Sequence, residues 1–166
     1  MQCLFLVLTW LFSWNNIGCL ELAKFLCENN EVIECNVCRN NINDEGVKYL
    51  CDALKNEDCK LTNLYLRDNH INDEGVKHLC DALKNKNCKL SNLKLSCNNI
   101  NDEGVKHLCD ALKNENCKLT NLNVNISVWV GKYLGDAAKI HNVKLPFWSN
   151  VTDITMKGVQ QAWWCT

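Results

Sequence analysis

Residues 61–89 read LTNLYLRDNHINDEGVKHLCDALKNKNCK, and residues 90–118 read LSNLKLSCNNINDEGVKHLCDALKNENCK. The two stretches agree at 23 of 29 positions, and the shared phrase Asn-Asp-Glu-Gly-Val-Lys places Gly46, Gly75 and Gly104 29 residues apart. A period of that length marks a stack of small structural units. The six differences are Thr62/Ser91, Tyr65/Lys94, Arg67/Ser96, Asp68/Cys97, His70/Asn99 and Lys86/Glu115, five of them within the first ten residues of the unit. Each unit opens on Leu-x-x-Leu-x-Leu-x-x-Asn-x-Ile. Leu61, Leu64, Leu66, Asn69 and Ile71 carry the pattern once, and Leu90, Leu93, Leu95, Asn98 and Ile100 carry it again. An earlier copy reads Val32, Cys35, Val37, Asn40 and Ile42.

The alternation Leu64-Tyr65-Leu66 predicts a short strand with one face buried. Val76, Leu79, Ala82 and Leu83 recur at i, i+3, i+6 and i+7, which predicts a helix over the second half of the unit. Asn72 or Asp73 is placed to cap that helix; Asp73 and Glu74 complement its positive end, and Lys84 stands near its negative end. One strand and one helix cannot bury their apolar stripe alone, so the copies must stack, with a parallel sheet on one side and helices on the other. Strands pack about 4.8 Å apart and helices about 8–10 Å apart, so the stack bends with its strands inside. The expected fold is an α/β solenoid, a horseshoe of about four to five repeats.

The opening phrase, followed by Asp-Glu-Gly-x-x-x-Leu-x-x-Ala-Leu and a Cys before the next Leu, resembles the ribonuclease-inhibitor class of leucine-rich repeats. The same class forms the C-terminal sensor region of NOD-like receptors. The resemblance covers residues 32–122, with 1–31 as a degenerate N-terminal repeat or cap and 123–166 as a degenerate repeat and divergent tail. It implies a non-catalytic protein-binding scaffold in the cytoplasm, the ligand-sensing or autoinhibitory part of an innate immune receptor. Nucleotide would then be handled only through a domain absent from this chain. A cytosolic enzyme inhibitor of the ribonuclease-inhibitor kind is the alternative within the class.

Composition narrows the function further. The chain has 166 residues, 47% hydrophobic and 22% charged, with a net charge of −1, so it offers no basic face for nucleic acid. No cofactor is implied. The Gly131-Lys132 pair is followed by Tyr133 and has Ile126 where a P-loop needs its first Gly. Cys35-x-x-Cys38 has zinc-ligand spacing, but strand alternation sends the two thiols to opposite faces, so no metal site is expected. His78 and His107 stand beside Lys77 and Lys106 on a solvated helix face without the acid and nucleophile of a triad. Catalysis is not expected.

The ends depart from the repeat, and all six Trp lie outside residues 15–128. Residues 3–12 fit the apolar region of a signal peptide, which would make the chain a secreted recognition protein. They also fit a degenerate repeat in which Val7, Trp10, Phe12, Asn15 and Ile17 take the five pattern positions, continued by Gly18, Leu22, Phe25 and Leu26. Ten apolar residues fall short of the roughly 20 that span a membrane. Towards the other end, Leu119, Leu122 and Val124 begin a fourth strand, and Lys132-Tyr-Leu-Gly-Asp-Ala-Ala-Lys shortens the helix phrase. Trp148, Trp163 and Trp164 are placed to cover the last repeat, unless the ends are not native caps at all. The sequons at Asn125 and Asn150 matter only in a secreted chain.

Candidate binding residues come from the positions where the copies differ. Tyr65 and Arg67 project from the inner, concave face; Asp68 follows them, and the matching positions hold Asn36 and Cys38, Lys94 and Ser96, and Asn123 and Asn125. The expected partner is a protein engaged on that face, since Tyr and Arg dominate interface hot spots. Asn40, Asn69 and Asn98 are read as a structural ladder that bonds the backbone of each bend. Six of the 13 cysteines are two positions multiplied by the repeat: Cys51, Cys80 and Cys109 on the helices, and Cys59, Cys88 and Cys117 before the strands. Helix spacing exceeds disulfide reach, so the first ladder is expected as free thiols; the second is close enough to pair. Semi-buried thiol is the reading for both, which favours the cytoplasm.

Overall fold

The computed structural model describes residues 16–125, together with residues 134, 136, 137, 139 and 142–145. Helix α1 spans Asn16–Glu28 and is followed by β1 (Glu34–Asn36), α2 (Asp44–Leu54), β2 (Asn63–Tyr65), α3 (Asp73–Leu83), β3 (Asn92–Lys94), α4 (Asp102–Leu112) and β4 (Asn121–Asn123). The strands form one parallel sheet in sequence order, and Leu64 pairs with Cys35 on one side and Leu93 on the other. Each helix packs against the next, α1 on α2, α2 on α3 and α3 on α4. This is the α/β solenoid that the period demands.

Each strand is only three residues long, yet its ladder runs further. Val37 N–H donates to Tyr65 O and Arg39 N–H to Arg67 O, and one repeat later Leu66 N–H donates to Lys94 O and Asp68 N–H to Ser96 O. The bend that follows requires left-handed backbone at a residue that is never glycine: Arg39, Asp68 and Cys97 have φ of 61°, 59° and 57°. Leu61, Leu64, Leu66, Ile71, Val76, Leu79 and Leu83 all bury their side chains, so one repeat supplies a continuous wedge of core, and the neighbouring copies extend it.

The caps differ from expectation in a way the sequence of one unit cannot show. Asn43 caps α2 with its own side chain, accepting from Glu45 N–H and Gly46 N–H. Asn72 and Asn101 sit at the same N-cap position of α3 and α4 but make no side-chain cap. The acceptor comes from the preceding repeat. Asp44 Oδ1 takes Asn72 N–H at 2.8 Å and Gly75 N–H at 3.0 Å, and Asp73 Oδ1 takes Asn101 N–H at 2.8 Å. Asp73 therefore caps the helix after its own. The recurring glycine follows from this close approach: a Cβ on Gly75 would run into Asp44 Oδ1 and stand 2.8 Å from Ile71 Cγ2, and one on Gly104 would meet Asp73 Oδ1 at 2.6 Å.

The stack continues past β4 with a shorter unit. Asn121 forms a parallel bridge to Lys144, only 23 residues on, and Leu122 N–H donates to Lys144 O. Leu134 and Ala137 are helical and buried, and Leu145 packs against the core. The readings of residues 3–12, of Val7, Trp10, Phe12 and Asn15, of Trp148, Trp163 and Trp164, and of the sequon at Asn150 lie outside the described residues.

Candidate functional site on the inner face of the sheet

Alternation along β2 turns Leu64 and Leu66 into the core and leaves Asn63, Tyr65 and Arg67 on the face opposite the helices. Parallel register then sets like positions side by side. Tyr65 pairs with Asn36 and Lys94, and Lys94 pairs with Asn123. The Lys94 ammonium lies 4.3 Å from the centroid of the Tyr65 ring, within cation–π range. Tyr65 O–H donates to Glu34 Oε2 at 3.4 Å, and Asn63 Nδ2 donates to the same oxygen at 3.5 Å. Partial burial and the adjacent Glu34 carboxylate push the Tyr65 phenol up from its ordinary value, so it stays a hydrogen-bond donor at neutral pH. The centre of the face is thus an aromatic ring with a cation on one flank and a carboxylate on the other.

The remaining candidates fall around this centre. Ser96 and Arg67 are half-buried two residues beyond β3 and β2, on the same side as Lys94 and Tyr65. Asn36 Oδ1 accepts from Cys38 N–H, which ties that side chain to its own strand end. Asp68 is different. It occupies the left-handed bend and pairs with Arg39 Nε at 3.1 Å, so it belongs to the exposed rim rather than to the strand rows. Sequence reading passed over Glu34, Asn63, Asn92 and Asn121, which line the first strand position and face the same way. Strand alternation from Tyr65 would have found them; a search restricted to differences between copies could not, because three of the four are the same residue.

Behind the face, Asn69 is buried and fully used. Its Nδ2 donates to Val37 O, Leu66 O and Arg67 O, and its Oδ1 accepts from Asn40 N–H and Ile42 N–H. Asn98 repeats the pattern on Leu66 O and Leu95 O and accepts from Ile71 N–H; Asn40 Nδ2 donates to Cys38 O. A second asparagine series, unseen in the sequence reading, stitches the opposite edge: Asn87 Nδ2 donates to Lys55 O and Asn116 Nδ2 to Lys84 O.

The thiols of the two ladders are free and buried, as are Cys19 and Cys35. Burial pushes Cys19 and Cys35 up to about 12, and Cys51, Cys80 and Cys109 upward for the same reason, so at pH 7 they are protonated packing groups. Cys38, half-buried beside Arg67 and Lys94, is also raised, because burial outweighs those cations. Cys97 is disulfide-bonded. Among the described residues no group of three or more His, Cys, Asp and Glu is arranged to hold a metal ion, and no helix is long and apolar enough to cross a membrane.

The family model described as "Leucine Rich repeat" matches residues 36–51, 57–80 and 86–109. These are leucine-rich repeats. Among curated relatives, the chain is similar to NACHT, LRR and PYD domains-containing protein 4C of Mus musculus, 45% identical over 49 residues, or 30% of this chain and 5% of that protein. It is also 45% identical over 47 residues to protein 12 of the same series in Homo sapiens, or 28% of this chain and 4% of that one. The shared stretch therefore spans about one twentieth of these NOD-like receptors. Among solved structures, leiomodin-1 actin-binding site 2 superposes with a TM-score of 0.64 at 21% identity, covering 76% of this chain and 73% of that one. That likeness shows the leucine-rich repeat fold.

Proposed function

We propose that this chain is a non-catalytic protein-binding scaffold, the ligand-sensing or autoinhibitory leucine-rich portion of an intracellular NOD-like innate immune receptor. In this reading the partner is a protein seated on the concave face, contacted by Asn36, Tyr65, Arg67, Lys94, Ser96 and Asn123, with Asp68 at the rim. Asn40, Asn69 and Asn98 hold the bends that present those residues. The observation that carries the reading is that the copies nearly coincide in core and helix, yet differ where side chains leave the sheet and in the bend beyond it: Asn36, Tyr65, Lys94 and Asn123 stand side by side in four adjacent strands. A scaffold that repeats its interior and varies one face is built to present that face. A half-buried Tyr with a cation on its ring is the kind of rigid anchor on which interface energy concentrates. The stretch shared with NACHT, LRR and PYD proteins supports the receptor class and, with it, the cytoplasm; nucleotide handling is left to a domain other than this one.

Replacing Tyr65, Arg67 and Lys94 together by Ala tests the assignment. The circular dichroism spectrum is expected to stay unchanged while capture of the partner is abolished; undiminished capture would refute the concave-face reading. A secreted recognition protein is the second reading, favoured by the disulfide at Cys97 and by the exposed sequon residue Asn125. Mass spectrometry of freshly extracted protein after thiol alkylation separates the two, since a reducing cytoplasm opens that disulfide and leaves Cys97 alkylated, whereas a secreted chain keeps it protected.

A further inference from the structure

Most lysines on the helices and at their C-caps are paired at i, i+3: Lys24 with Glu21, Lys55 with Asp52, Lys77 with Glu74, Lys106 with Glu103 and Lys113 with Asp110, whereas Lys48 and Lys84 make no ion pair with a described carboxylate. At the edge where helices end and strands begin, Lys60, Lys89 and Lys118 recur once per repeat, and no carboxylate of the described residues is in ion-pair contact with them. Their ammonium groups are turned back onto the chain instead. Lys60 Nζ lies 3.1 Å and Lys89 Nζ 2.8 Å from the same carbonyl oxygen, that of Glu57, which holds the two charges within about 6 Å of each other. Lys89 Nζ also donates to Cys59 O, and Lys118 Nζ donates to Lys86 O. Partial burial, then Lys60, then Lys118 depress the Lys89 ammonium below its ordinary value, the signature of a crowded like-charge row.

The middle turn deepens the row. Residues 84–89 read KNKNCK, with Lys84, Lys86 and Lys89 and no acid, whereas Glu57 and Asp58 before it and Glu115 after it dilute the flanking turns. The row is formed by adjacent repeats whose strands lie about 4.8 Å apart. Carboxylates on one face of an α-helix, at i, i+3 and i+4, stand about 5–6 Å apart, close to that step. On one face of an extended strand they are about 6.6 Å apart and fall out of step after one or two repeats.

We propose that the edge formed by Lys60, Lys84, Lys86, Lys89 and Lys118 is a second interaction surface, distinct from the inner face, that docks an acidic helical segment of a partner protein. Carboxylates arriving there replace a shared carbonyl with true counter-ions and relieve the repulsion within the row. The surface is independent of the concave-face assignment.

The test uses the full chain and a fluorescent 20-residue peptide carrying Glu at i, i+4 spacing on an Ala background, followed by anisotropy. A second peptide has the same charge with two central Pro residues that forbid the helix. The helical peptide is expected to bind, with affinity falling as salt rises, and to lose at least tenfold in Lys86→Glu, a change that reproduces the residue already present at positions 57 and 115 and so leaves the fold intact. The triple variant Lys60→Gln, Lys89→Gln, Lys118→Gln should lose binding outright, while the Tyr65, Arg67 and Lys94 alanine variant keeps it. Equal affinity for the Pro-broken peptide, for a single-stranded oligonucleotide or for inorganic phosphate would overturn the proposal, as would unchanged binding in Lys86→Glu.

Discussion

Gly75→Ala is the substitution for which local propensity and the stacked structure demand opposite signs. Gly75 lies in the first turn of α3, and Ala is the better helix former by about 1 kcal/mol, so an isolated helix would gain. In the stack, the added methyl would stand 2.8 Å from Ile71 Cγ2 and run into Asp44 Oδ1, the atom that accepts Asn72 N–H and Gly75 N–H. Overpacking of that kind costs about 1–3 kcal/mol. Displacing the carboxylate removes a cap for about 0.5–2 kcal/mol more. The net expectation is a loss of about 2 kcal/mol, which for a chain of this size lowers the melting temperature by roughly 4–8 °C. Urea unfolding followed by far-ultraviolet circular dichroism measures it. A double-mutant cycle with Asp44→Ala isolates the inter-repeat contact: in the Asp44→Ala background the penalty at residue 75 should shrink to that of the Ile71 clash, giving a coupling of about 1 kcal/mol or more. A stabilised Gly75→Ala protein, or a cycle with no coupling, would refute the idea that the glycine exists to let the neighbouring repeat cap the helix.

Three other outcomes are expected. Asn69→Ala should destabilise by about 3–5 kcal/mol in the same urea assay, because it strands the partners of Asn69 on the preceding repeat, Asn40 N–H, Ile42 N–H and Val37 O. Stability should fall as pH rises from about 9 towards 12: Cys19 and Cys35 are pushed from 9.0 to about 12 in the folded chain, so above pH 9 the unfolded chain releases protons that the native state retains. The Cys35→Ala variant, melted at pH 7 and pH 10.5, should show a smaller alkaline loss than the parent. Lys94→Ala, at an exposed residue whose ammonium lies over the Tyr65 ring, should change the urea midpoint by less than the equivalent of about 1 kcal/mol.

What was readable in the sequence divides along the range of the interactions. Strands, helices and their alternation follow from Leu64, Leu66, Val76, Leu79 and Leu83, because burial is local to one unit and repeats in the next. The parallel register follows too, since a 29-residue period leaves each strand one partner on either side. Contacts that pass between units were not readable from one unit. Asn72 has every local mark of a capping residue, but the cap comes from Asp44 in the preceding repeat. Asn87 and Asn116 look like turn residues and in fact bind the carbonyls that end the preceding helices. The candidate surface was readable only where the copies differ. Tyr65 and Lys94 stood out for that reason, whereas Glu34 and the row Asn63, Asn92, Asn121 escaped notice, although the same alternation places them beside the others. Asp68 was assigned by its variability, and its left-handed backbone and pairing with Arg39 place it on the rim.

The central claim is that partners are held on the inner sheet face and that the helices serve as scaffold. A photo-reactive amino acid installed at position 65 in one protein and at position 78, on the helix side, in another tests it inside cells. Irradiation is expected to yield a discrete covalent adduct with one partner from position 65 and none from position 78; adducts from position 78 with none from position 65 would contradict the account.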